Sequence, residues 1–272
     1  MPPSHGACLA GGFCPPGMFV RGRSCPRAVV RLASRDDRRD DRGAHRDDRH
    51  DRWFQTPAWR CRGSLRCVVA GIDTRPVGPE DLADLAKLFG GQRNTRRCWC
   101  TAFCVTRRSF AVGWLSGGNR NRFEAMTTAS STPMGILASV AGEPVGWCAC
   151  GPRSRYIVAT SGRSNITRWA PVEDETAWLL PCLFVRVEHR AQGVTYALVG
   201  AAVELARREG AVAIEGWPGT ASKERAADAF RGREKVFKTL GFSCVERPSP
   251  RRAIMRLEFG RDPSNDEAAQ DL

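Results

Sequence analysis

Nine consecutive uncharged residues, Ala177–Val185 (A-W-L-L-P-C-L-F-V), constrain this chain more than any other feature. A run of that length, apolar throughout, reads as a strand covered on both faces. Pro181 inside it has no N–H to give to a ladder, which implies a bulge or a local parting of strands at that point. A polar, glycine-containing loop follows, His189–Thr195, and then Val194, Leu198, Ala201 and Leu205 recur at helical spacing up to Gly210. Val212–Trp217 is strand-like again. Strand, loop, helix and strand in this order make the parallel crossover unit.

The flanking segments place that unit in an otherwise antiparallel sheet. Ile72-Asp73-Thr74-Arg75 reads as a short strand, and Gly78-Pro79-Glu80-Asp81 opens a helix whose apolar face is Leu82, Leu85, Leu88 and Phe89, stopped by Gly90-Gly91. A second helical stretch covers Arg107–Ala125 with an interruption at Gly117-Gly118. Met134–Val140 and Pro144–Cys150, joined by Ala141-Gly142-Glu143, predict a hairpin. Gly151–Trp169 reads as a polar loop. A helix over Arg233–Leu240 ends at Gly241, and Phe242–Glu246 and Ala253–Phe259 close the domain as two strands. The fold class expected is therefore α/β of the α+β kind: a mixed, mostly antiparallel sheet flanked by helices, with one parallel strand-helix-strand crossover.

Charge separates this domain from what precedes it. The 272 residues carry a formal +13. Residues 1–67 hold 14 Arg and 7 Asp, a net +7, which leaves +6 for the remainder, so the folded part is only mildly basic. Within Ser34–Arg52 the tetrapeptide R-D-D-R occurs three times with no apolar periodicity to bury, and disorder is expected there. Residues 1–67 are read as an arginine-rich leader, with the native start near Val68; 68–260 as the folded domain; 261–272 as a disordered acidic tail. Nearly all the positive charge is arginine, with four lysines, a bias that argues composition more than phosphate recognition, and nucleic acid is not the expected partner. No stretch approaches the roughly 20 apolar residues of a membrane span. Twelve cysteines without a secretory h-region suit a reduced, cytoplasmic protein.

The chemistry is expected in Arg190-Ala191-Gln192-Gly193-Val194-Thr195. Free backbone N–H groups at a helix start, together with the positive end of its dipole, favour an anion, and a glycine lets a phosphate approach the main chain. By itself a single glycine at a strand-to-helix turn is weak evidence. However, the longer segment L-P-C-L-F-V-R-V-E-H-R-A-Q-G-V-T-Y-A-L-V-G-A-A-V-E-L-A-R-R-E-G-A resembles the acetyl-CoA site of the GNAT (Gcn5-related) N-acetyltransferases. That family's loop reads R/Q-x-x-G-x-G/A, and Arg190, Gly193 and Thr195 stand at its defined positions, Thr195 being a departure that leaves the backbone donors intact. Pro144-Val145-Gly146-Trp147 and Leu240-Gly241-Phe242 extend the resemblance to roughly residues 70–260.

The resemblance implies acetyl-CoA as cosubstrate, its pyrophosphate on the amides of Gln192, Gly193, Val194, Thr195 and Tyr196 beside Arg190, and its pantetheine arm beside Phe184 and Val185 where the strands part. It also implies direct attack of an acceptor amine on the thioester, with no covalent protein intermediate. Two carboxylates are candidates for the base: Glu175, just before the long apolar strand, and Glu215, an acid inside a buried one. Many family members carry a Tyr four residues before the Gly of L-G-F; here that position is Phe237, and the only tyrosines, Tyr156 and Tyr196, do not match it.

Cys98-Trp99-Cys100 with Cys104, Cys148-Ala149-Cys150 and Cys182 lack the C-x2-C pairs of zinc modules, so no metal is expected. The two C-x-C pairs are candidates for a redox-sensitive pocket lining. Trp99, Trp147, Trp178 and Trp217 fall on elements that could line an acceptor cleft, and an aromatic, Cys-rich cleft favours an apolar or amphipathic amine. The acceptor itself is not readable, and a homodimer is compatible with these features. An acyl-CoA-binding relative without catalysis, or an interaction module using the basic arm, remain as alternatives.

Overall fold

Residues 60–62, 66–69, 71–161, 165–167, 175–219 and 230–260 are described by a computed structural model. The expected leader up to residue 59 and the tail 261–272 lie outside the described residues. By contacts the chain divides into Met1–His50 and Asp51–Leu272, and every described residue belongs to the second unit.

Its described strands are β1 (Arg60–Arg62), β2 (Arg66–Val69), β3 (Ile72–Pro76), β4 (Gly135–Val140), β5 (Glu143–Pro152), β6 (Ala177–Val185), β7 (Ala213–Gly216), β8 (Ser243–Ser249) and β9 (Arg252–Glu258). They form one sheet in the order β1-β2-β3-β4-β5-β6-β7-β9-β8. Only β6 and β7 pair in parallel, and the crossover between them is the helix α6 (Val194–Arg208). β4 and β5 form the expected hairpin. Strands β1 and β2 begin within the stretch read as leader, at Arg60.

The remaining helices are α1 (Leu82–Gly90), α2 (Arg93–Cys98), α3 (Arg107–Ser116), α4 (Asn119–Ala129), α5 (Ile157–Thr160) and α7 (Glu234–Thr239). The interruption at Gly117-Gly118 divides α3 from α4 as the two glycines suggest, while α4 runs four residues past the expected end. Two segments correct the sequence reading. Six-residue α2 offers no full amphipathic repeat, and the expected polar loop after Gly151 contains a 3-10 turn at Arg153–Arg155 and then α5. That segment is partly core: Arg153 and Tyr156 are buried.

Two apolar layers cover the sheet. On one face α6 buries Val194, Leu198, Val199 and Leu205 against Ile136, Val145, Cys148, Trp178, Leu180 and Leu183. Each such large side chain contributes roughly 1.5–3 kcal/mol on burial. Gly146 of β5 permits the approach, because a Cβ there would stand 2.8 Å from Val194 Cγ1 and 3.0 Å from Leu198 Cδ1. On the other face Leu85, Leu88 and Phe89 of α1 meet Trp99, Phe123, Trp147 and Phe184.

The proline in the long strand does what its chemistry requires. Ala149 pairs with Cys182 and Gly151 with Leu179, so Leu180 and Pro181 together face the single residue Cys150. This bulge shifts the side-chain alternation by one: Trp178, Leu180 and Leu183 share the α6 face, whereas Cys182 and Phe184 turn to the other. The parallel ladder with β7 also stops there, at Leu180 opposite Gly216.

Candidate active site

The loop before α6 is shaped by two left-handed residues, Ala191 (φ 58°) and Gly193 (φ 85°). Gly193 takes that conformation without the Cβ penalty that any other residue would meet. The first hydrogen bond across the helix start runs from Ala197 N–H to Gly193 C=O at 3.1 Å, so the amides of Val194, Thr195 and Tyr196 precede the helical ladder. Val194 is buried and anchors this end to the sheet, while Gly193, Thr195 and Tyr196 are half-buried. Arg190 and Gln192 are exposed; Arg190 Nε donates to Val185 C=O at 3.3 Å, and Gln192 Nε2 donates to Glu188 C=O at 2.9 Å. Left-handed residues set among successive amides make the kind of concavity that accepts an anion, and the dipole of the 15-residue helix adds to it.

Beyond the bulge the edge of β6 left by β7 is occupied by another segment: Leu183 N–H donates to Phe230 C=O at 2.7 Å. Pro181, Cys182 and Phe184 of this stretch form one wall of a cavity of about 380 Å³. Its other walls come from Phe89, from α2 (Asn94, Thr95, Cys98) and the turn after it (Cys100, Ala102, Phe103), from Trp114 of α3, and from Phe230 and Arg231. Phe184 stacks on Phe230 with an interplanar angle of 26° and centroids 6.1 Å apart. Trp99 and Cys100 are both left-handed (φ 46° and 47°), strain held in place by the burial of Trp99 against Phe89 and Phe123 and by Trp147 Nε1–H donating to Cys100 Sγ at 3.1 Å. Strain of this kind, on the order of 1–3 kcal/mol per residue, collects at functional sites.

A family model described as the acetyltransferase (GNAT) family matches residues 99–234, half of the 272-residue chain. The chain belongs to the GNAT acetyltransferase family. Among solved structures, the PaiA N-acetyltransferase of Thermoplasma acidophilum in complex with coenzyme A is similar at 12% identity, over 69% of this chain and 99% of that one, with a TM-score of 0.41. YncA, a putative acetyltransferase from Salmonella typhimurium with its cofactor acetyl-CoA, is similar at 14% identity over 71% and 96%, with a TM-score of 0.40. An uncharacterized protein from Bacillus halodurans is similar at 16% identity over 71% and 84%, with a TM-score of 0.42. No curated protein matches the chain significantly.

The two candidate carboxylates of this GNAT domain sit differently. Glu215 is wholly buried on β7: its Oε1 accepts from Arg256 Nη1 at 2.7 Å and from Thr167 Oγ1 at 2.8 Å, and its Oε2 accepts from the Thr167 amide at 3.3 Å. It is not among the residues lining the cavity. Glu175 is exposed, and its Oε2 accepts from Ser154 Oγ at 3.1 Å. Phe237, at the position where many relatives carry a tyrosine, is fully buried, packs edge-on against Phe242 at 5.1 Å, and fills the space left by Gly216, where a Cβ would clash with its ring.

The GNAT domain's thiols also divide. Cys98, Cys100 and Cys182 line the cavity, with Cys100 and Cys182 Sγ atoms 3.1 Å apart. Cys148 and Cys150, the second C-x-C pair, are instead in the core beneath α6, because their strand turns them to that face; the expectation of two pairs on one pocket is thus corrected. Burial pushes Cys98 and Cys104 up to about 12, and Cys100 is raised by its contact with Cys182 and then by burial, so these thiols keep their protons at neutral pH and are weak nucleophiles. Among the described residues no group of three or more His, Cys, Asp or Glu could hold a metal. The four tryptophans expected near a cleft all pack in the core, and Trp114 lines the cavity instead. The cavity residues Asn94, Thr95, Phe103 and Phe230 carry no pattern that would have marked them; the one signal was Cys98-Trp99-Cys100, legible as unusual but not as a wall.

Proposed function

We propose that this chain is an N-acetyltransferase that moves the acetyl group of acetyl-CoA directly onto an acceptor amine. The observation that carries the proposal is the Gly193 turn at the start of α6, standing on the same strand-helix unit as the parting of β6 from β7. Acetyl-CoA brings an activated thioester, and its diphosphate fits a run of amides with no intervening side chain at Gly193. In this reading the amides of Gln192 to Tyr196 hold the diphosphate, Arg190 adds positive charge at the loop, and the backbone of β6 near Phe184 and Val185 guides the pantetheine arm past the Pro181 bulge.

The acceptor occupies the cavity walled by Pro181, Cys182 and Phe184, along the same stretch of β6. Its nitrogen lone pair attacks the thioester carbonyl carbon, a C–N bond forms, the C–S bond breaks, and the amine proton leaves as the coenzyme A thiol is reprotonated. Because Glu215 is committed to Arg256 and Thr167, we assign it to holding β7 against β9. Glu175, exposed and near the start of β6, remains the candidate for accepting the proton through solvent. Phe237 has no proton to give, so water is the donor to the departing thiolate. Among the described residues no helix is long and apolar enough to cross a membrane, and the cysteine usage fits a cytoplasmic enzyme. Release of coenzyme A thiol from acetyl-CoA in the presence of an amine panel tests the reading; acetyl-CoA binding with no release for any amine would leave the non-catalytic alternative.

A further inference from the structure

We infer that the acceptor is a primary amine carried on a flat aromatic body, and that it reacts after entering the cavity un-ionised. This inference rests on the acetyl-transfer reading and names the substrate class for it. Five aromatic side chains from five separate segments converge on the same space: Phe89, Phe103, Trp114, Phe184 and Phe230. None is close in sequence to the next except through the fold, and at about 380 Å³ the space falls in the range of small-ligand sites. Rings of this kind favour stacked or edge-on contact with another ring, worth roughly 0.5–1.5 kcal/mol beyond area burial. Phe184 and Phe230 already present such a stacked pair beside Pro181, on the strand segment where the thioester is delivered.

The same walls, which besides the rings present the Arg231 guanidinium and the thiols of Cys98, Cys100 and Cys182, act on the amine's charge, and a guanidinium there opposes a second cation. An alkyl ammonium ordinarily holds its proton to a pKa of about 10.4, and transfer into an apolar surrounding lowers that by several units because the charged form loses its water. The neutral amine is the nucleophile, so desolvation supplies in the binding step what a buried carboxylate would otherwise supply by proton transfer. This agrees with the commitment of Glu215 to Arg256 and with thiols that stay protonated around the cavity. A polyamine or a lysine side chain carries its charge and little ring surface, and gains least here.

The test uses the full chain with acetyl-CoA and four amines: 2-phenylethylamine, 2-naphthylethylamine, spermidine and a lysine-containing peptide. The expected result is a kcat/KM for the two aromatic amines at least about tenfold above the others, the equivalent of one ring contact. With 2-phenylethylamine kcat/KM should rise about tenfold per unit between pH 6 and 8 while kcat stays flat, since the bound amine is already neutral. Ala102→Asp, which puts a carboxylate on the wall, should lower kcat/KM for 2-phenylethylamine and raise it for spermidine. Trp114→Ala should raise KM for the aromatic amines with kcat and acetyl-CoA affinity retained, and serves as the second variant if the first does not fold. Preferred turnover of spermidine or the peptide overturns the inference while leaving acetyl transfer standing. Absence of both acetyl-CoA binding and turnover overturns both.

Discussion

Replacing Glu215 with glutamine separates a structural carboxylate from a catalytic one. The side chain is wholly buried and its partner Arg256 is 7% exposed, facing it across the β7–β9 ladder. Removing one member of a buried ion pair costs about 3–5 kcal/mol, because the remaining charge is left without its counterion. Here the low end applies: Arg256 keeps Glu258 through its Nε, and the substituted amide still offers one oxygen to Thr167. A loss of about 3 kcal/mol in a domain of this size lowers Tm by roughly 6–12 °C. Loss of a general base, by contrast, slows turnover about 10²–10⁴-fold. Calorimetric melting together with saturating-substrate kinetics at 20 °C should therefore show a clear drop in Tm with kcat within about threefold of the parent. Adding Arg256→Met, which removes the buried charge that has lost one of its two carboxylates, should restore part of the lost stability. A Tm within 2 °C of the parent with kcat reduced about 100-fold or more would refute this reasoning and return Glu215 to the reaction.

Gly146→Ala drives a methyl group against Val194 and Leu198 at the root of the cradle; we expect about 1–3 kcal/mol of destabilisation by overpacking and weaker acetyl-CoA binding, read by melting and titration calorimetry. Phe89→Ala removes the ring that touches Trp99, Trp147 and Phe184 and should cost about 3–5 kcal/mol in denaturant unfolding. Stability should fall as pH rises from about 9 toward 12: folded Cys98 and Cys104 hold their protons to about 12, against an ordinary 9.0, so over that window the unfolded chain binds fewer protons. Cys98→Ser and Cys104→Ser together should reduce that alkaline slope in urea midpoints measured at pH 8 and 10.5, while Cys100, raised by its contact with Cys182 and by burial, and Cys148 and Tyr156, raised by burial, retain part of it.

The sheet was legible because burial on both faces and period-two alternation leave a direct mark on sequence, as in Ala177–Val185 and the β4–β5 hairpin. Pro181 was legible for a stronger reason, since a missing N–H must be accommodated somewhere, and the bulge at Leu180–Pro181 does so. The Gly193 turn was readable through its conformational demand and its place between strand and helix. The cavity was not. Its wall draws on α3, which was legible as a helix, but also on α2, the turn carrying Ala102 and Phe103 and the segment at Phe230, each too short or too irregular to show a period, and their convergence depends on tertiary contacts. Glu215 illustrates the opposite failure: an acid in an apolar strand signals a reason, but only the register with Arg256 tells which.

Titration calorimetry of acetyl-CoA into the full chain and into Gly193→Val tests the central claim most directly. A branched side chain at a left-handed position beside the amides strains the turn and blocks close approach of a diphosphate. The account predicts measurable binding to the parent chain and at least about a tenfold weaker affinity in the variant, a difference of about 1.4 kcal/mol, with its far-UV circular dichroism unchanged. Equal affinity in both, or no binding to the parent chain, would contradict it.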